Sequence, residues 1–159
     1  MKNKKGFTLV ELLAVIVVLG IVMGIAAFAI TNVLDSTRKN AFVASAKQFV
    51  DGAKLLVDAD IPDTITVGSG KYLESCNGTY AIPIGDIKTK SGNTDKTPWG
   101  LGYDKTNSKV FVTVSDSCET FSYKIYLTES GNAHYIANEA DKTDPVSEAN
   151  LSSDYVFPQ

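Results

Sequence analysis

The chain has 159 residues, 44% hydrophobic and 21% charged, with 15 Lys and Arg against 18 Asp and Glu for a net charge of -3. A pI near 5.1 and the lack of a dense Lys/Arg cluster beyond the first five residues argue against an electrostatic grip on nucleic acid, which needs a basic face. One domain is the prior at this length, yet residues 12–30 are 19 consecutive positions without a charge, while the remainder is ordinary and polar.

Lys2, Lys4 and Lys5 precede the apolar run, the positive flank that keeps the N-terminal side of a membrane segment in the cytoplasm and sends the downstream chain outward. Nineteen residues at 1.5 Å each give about 28 Å of helix, close to the hydrocarbon thickness of a bilayer. A secretory signal peptide cut at Ala27-Phe28-Ala29 and a simple anchor are the plain alternatives. Against a signal peptide stand the length of the run and Glu11, an acid within the apolar series that begins at Phe7. Neither alternative accounts for that carboxylate, because an acid deep in a membrane helix costs about 2.5–3.5 kcal/mol.

The segment Lys4-Lys5-Gly6-Phe7-Thr8-Leu9-Val10-Glu11-Leu12-Leu13 resembles the prepilin signature of the type IV pilin and pseudopilin superfamily. It combines a short basic leader, a glycine, a phenylalanine, a glutamate five positions into the mature chain and an unbroken apolar helix. The resemblance implies cleavage between Gly6 and Phe7 by a prepilin peptidase, removing residues 1–6 as a leader, and methylation of the new Phe7 amine. A glycine before the scissile bond lets a peptidase approach the backbone closely. The resemblance also pairs Glu11 with the Phe7 amine of a neighbouring subunit. A carboxylate and an ammonium left apart in lipid each cost energy, so their pairing marks correct axial register during assembly.

Residues 7–34 are thus the expected membrane and filament-core half of a long helix, and residues 35–60 its amphipathic half. Phe42, Phe49 and Leu56 recur every seven residues, flanked by Val43, Val50, Val57, Ala46 and Ala53, with charges around the remaining circumference. Pro62 ends the pattern by restricting Ile61. From 7 to 60 the helix would measure about 80 Å. Gly20 and Gly24 are where it would loosen if it does so on assembly, since the proline many bacterial pilins carry in this half is lacking between 7 and 61.

Residues 61–159 form the expected head. Residues 61–108 read as a connecting region holding one strand or short helix, with an apolar piece at 80–84. Within it Thr97-Pro98-Trp99-Gly100-Leu101-Gly102-Tyr103 looks like the Trp-containing turn that precedes the sheet in many pseudopilins, departing from it at Thr97 and Gly102. Trp99 is expected as an aromatic plug between loop and sheet rather than a ligand platform. Strand signals follow at 109–115, 121–128 and 132–137, predicting an antiparallel meander laid on the amphipathic stripe. The fold class is therefore α+β and pilin-like: a long N-terminal helix packed on a small antiparallel sheet. The tail at 155–158 either docks on the sheet edge or stays mobile.

An outward-facing domain favours a disulfide between Cys76 and Cys118. Its closed loop would add about 4 kcal/mol in the chain-entropy account. This placement departs from the C-terminal loop that cysteines bracket in many type IV pilins. Two cysteines without a histidine cluster do not make a zinc site. His134 reads as an ordinary strand residue without a nucleophile to serve. Asp141, Asp144 and Glu148 read as a solvated acidic tail rather than a calcium loop. Neither a cofactor nor an enzymatic activity is expected.

The leading function is a structural subunit of an extracellular type IV pilus, held in the inner or cytoplasmic membrane as a single-pass precursor with its head outside. Its implied partners are copies of itself, the prepilin peptidase, the assembly platform with minor pilins, and the membrane before assembly. Adhesion, motility and surface colonisation are the uses the resemblance allows. A pseudopilin of a secretion or DNA-uptake machine is the nearest alternative, and a secreted binding protein with a conventional signal peptide the remote one.

Overall fold

A computed structural model describes residues 6–58, 66–67, 70–71, 78–89, 95–117, 119–131, 133–138 and 144–158. The chain divides into two compact units, Met1–Thr37 and Arg38–Gln159. A single helix, α1 (Leu9–Asp58), begins in the first unit and ends in the second. It starts two residues after the expected position because Thr8 caps it. Residues 59 and 60 lie outside the described residues.

In the first unit α1 presents leucine, isoleucine and valine on every side, and these side chains stay exposed. Such a helix is long and apolar enough to cross a membrane by length and composition. It runs unbroken through Gly20 and Gly24, where an added Cβ would meet nothing within 4 Å.

The second unit is built on the seven-residue stripe. Phe42, Val43, Ala46, Phe49, Val50 and Ala53 are buried, and Leu56 and Val57 pack on them at the margin. Facing them is a six-stranded antiparallel sheet of β3 (Thr79–Pro83), β4 (Lys109–Val114), β5 (Phe121–Thr128), β6 (His134–Ile136), β7 (Val146–Ser147) and β8 (Val156–Pro158). The order is β3-β4-β5-β6-β8, with β7 paired to β5. A separate two-stranded ribbon joins β1 (Thr66–Val67) to β2 (Gly70–Lys71).

Period-two alternation decides which side chains the sheet buries. On β4, Val110, Val112 and Val114 face the core. On β5 the expected apolar face grades from exposed Phe121 through half-buried Tyr123 to buried Ile125 and Leu127. The β4–β5 hairpin is in register from Lys109 opposite Tyr126 to Val114 opposite Phe121.

The three-strand meander is present as β4-β5-β6, and the sheet extends beyond it at both edges. The apolar piece at 80–84 becomes strand β3 followed by a 3-10 turn at Ile84–Asp86. The C-terminal tail docks: β8 pairs with β6, placing Tyr135 opposite Phe157 with their rings 5.7 Å apart. Both additions cover sheet edges with backbone partners, which neutralises open hydrogen-bonding groups.

Candidate functional site: the N-terminal motif

Gly6 and Phe7 precede the helix in exposed chain outside regular secondary structure, and Phe7 is 90% exposed. Thr8 takes the N-cap position and Glu11 the third helical position, the spacing of a capping box. Glu11 N–H donates to Thr8 Oγ1 at 3.3 Å, while Thr8 N–H and Thr8 Oγ1 both donate to Glu11 Oε2 at 2.8 Å. Leu12 N–H then closes the first helical bond on the Thr8 carbonyl at 3.2 Å. The sequence Thr-Leu-Val-Glu therefore fixes where α1 begins and also where its one acidic side chain in the apolar half is held.

Sequence reasoning assigned Glu11 a partner on another subunit and gave Thr8 no role. The capping pattern was nevertheless legible, because a Thr three positions before a Glu and ahead of an apolar run is its signature. Cys76 and Cys118 both lie outside the described residues, so the expected disulfide does too.

In the second unit the Trp99 turn and His134 come together. Pro98 and Trp99 occupy the centre of a β-turn closed by Gly100 N–H on Thr97 C=O at 2.9 Å, and Gly100 follows with φ +89°. Trp99 meets Phe42 edge-on at 5.5 Å and stacks on His134 with centroids 3.8 Å apart and planes within 8°. It is the aromatic plug expected of it. His134 is more than an ordinary strand residue: its Nδ1 donates to Oε2 of Glu129 at 2.7 Å, and the Thr97 hydroxyl donates to Glu129 Oε1. Glu129 is fully buried. Glu129 did not stand out in the sequence, since a single Glu at the end of a strand carries no periodic or spacing signal, and Thr97 stood out only as a departure from the Trp-containing turn.

Two of the acidic tail residues are engaged within the head. Glu148 pairs with Lys54 of α1, and Asp144 accepts a bond from the Asn138 amide at 3.1 Å, while Asp141 is outside the described residues. The hydrogen bond from Lys54 to Glu148 holds the ammonium above its ordinary range, against partial desolvation. Among the described residues no group of three or more His, Cys, Asp or Glu converges on a point where a metal ion could sit.

Residues 1–27 match the family model described as the prokaryotic N-terminal methylation motif. No curated protein and no solved structure matches the chain. The matched stretch contains Gly6, Phe7, the Thr8–Glu11 capping box and the start of the exposed apolar helix. The matched stretch is the signature that type IV pilins and pseudopilins share, and it leads into a long N-terminal helix followed by a small antiparallel sheet, the pilin-like α+β arrangement expected from the sequence.

Proposed function

We propose that the protein is a structural subunit of an extracellular type IV pilus. The precursor is held in the membrane by the apolar half of α1, cut between Gly6 and Phe7 by a prepilin peptidase, methylated on Phe7, and transferred into a helical homopolymer. The observation that carries this reading is the methylation motif running directly into the apolar half of α1, whose described residues are all exposed. An all-round apolar helix of this length needs lipid or other helices around it. Head-to-tail contacts that do not close let one chain type build an open fibre. Glu11 supplies register by accepting the Phe7 ammonium of a neighbour. Oxidised Cys76–Cys118 would staple the connecting region to the β4–β5 turn.

A pseudopilin reading is favoured by one feature, the Trp99 turn packed between α1 and β6. Both readings share the same N-terminal chemistry and part at the filament's length and place. Mass spectrometry of the terminal peptide from the native cell tests the shared part: methylated Phe7 is expected, and a terminus at Ile30 overturns it. Glu11→Gln is expected to leave insertion and cleavage intact and to impair assembly, scored by the fibres sheared from the surface. Long sheared fibres mark a pilus, and their absence with intact processing marks a pseudopilin.

A further inference from the structure

We propose that Thr8 is the positioning residue of the assembly carboxylate, holding Glu11 by one oxygen and leaving the other open to the incoming subunit. This rests on the reading of Glu11 as the acceptor of a neighbour's Phe7 ammonium. Both Thr8 donors converge on Oε2 at 2.8 Å, and among the described residues Oε1 accepts no bond. The Thr8 hydroxyl simultaneously accepts from Glu11 N–H at 3.3 Å, so it is itself fixed by the backbone it caps.

A carboxylate in a low-dielectric setting needs donors in both the free and the assembled state. The capping box supplies two in the free subunit, which lowers the penalty of carrying Glu11 into lipid. It also fixes the side chain's rotamer before any partner arrives. The remaining oxygen then meets an ammonium without first having to break an existing bond. Removing the hydroxyl leaves the Thr8 N–H as the single donor and frees the side chain to rotate, so the ordering cost falls on the assembly step.

The test compares Thr8→Val, Thr8→Ala, Thr8→Ser and Glu11→Gln expressed in the native cell. Fibres are scored per processed subunit, with processing read from the intact mass of the membrane-held chain, so that incomplete leader removal does not enter the result. Thr8→Val and Thr8→Ala are expected to lower assembly about threefold to tenfold, the cost of ordering one side chain. Thr8→Ser, which keeps the hydroxyl, is expected to assemble as the parent does. Assembly of Thr8→Val at the parental level, or of Thr8→Ser as poorly as Thr8→Val, overturns the proposal. Normal fibres from Glu11→Gln remove the parent reading and this one together, whereas impaired Glu11→Gln with normal Thr8→Val removes this one alone.

Discussion

The fully buried Glu129 couples three parts of the head through one side chain. Its two oxygens take bonds from Thr97 on the Trp99 turn and from His134 on β6, while its backbone N–H donates to the His134 carbonyl at 3.0 Å. Removing both oxygens leaves the Thr97 hydroxyl and the His134 Nδ1–H without their acceptor, so Glu129→Leu is expected to lose about 1–3 kcal/mol, measurable by denaturant unfolding. A second residue-scale prediction concerns Asp104, which closes the turn before β4. Its side chain takes a bond from the Asn107 amide at 2.7 Å and from the Asn107 and Thr106 N–H groups at 3.0 Å each. The Asn107 side-chain bond, followed by its backbone bond, holds the carboxyl below the usual aspartate range. A folded-state value below the unfolded one adds stability above the unfolded value, near pH 4, which disappears as pH falls through the folded value. Asp104→Ala should therefore lower Tm at pH 7 and lose less between pH 4 and 2 than the parent does.

At the scale of elements, the contact between α1 and the chain leaving the 3-10 turn depends on a missing side chain. A Cβ on Gly52 would lie 2.5 Å from Ile87 Cγ2 and 3.0 Å from the Lys88 carbonyl oxygen. Helix propensity favours Ala over Gly by about 1 kcal/mol, so propensity alone predicts that Gly52→Ala stabilises. The clash with a buried, branched side chain and with backbone outweighs it, because overpacking costs about 1–3 kcal/mol. The expected result is a net loss in Tm for Gly52→Ala, and a gain would show that residues 87–88 yield easily. The sequence displayed the stripe from Phe42 to Val57 because helical burial imposes a period on one continuous segment. It displayed β4 and β5 for the corresponding reason at period two. It did not assign β7, whose two residues are too short to carry a period and whose pairing with Lys124 and Ile125 of β5 arises only when distant segments meet. The docking of β8 was left open for the same reason.

For the whole molecule, the two units draw on different environments. Arg38–Gln159 contains a complete core, with Phe42 and Val50 of α1 buried among Val110, Ile125, Leu127 and Ile136 of the sheet. A chain beginning at Arg38 is therefore expected to unfold cooperatively in the absence of detergent, with coincident transitions by circular dichroism and tryptophan fluorescence. Separate transitions would show that the core needs the preceding helix. In Met1–Thr37 the large apolar side chains of the described residues are exposed rather than gathered into an internal core.

By itself, the sequence determined the N-terminal motif, the apolar start of α1 and the buried stripe that follows it, and the central strands. These are properties of contiguous residues, written as charge, spacing and period, and the family match over residues 1–27 rests on the same stretch. Only the tertiary structure decided that Glu129 joins Thr97 to His134, that Gly52 admits the chain at Ile87, and that the C-terminal strand completes the sheet. Those contacts unite residues far apart along the chain through distances and buried polar pairing, which leave no pattern in local order.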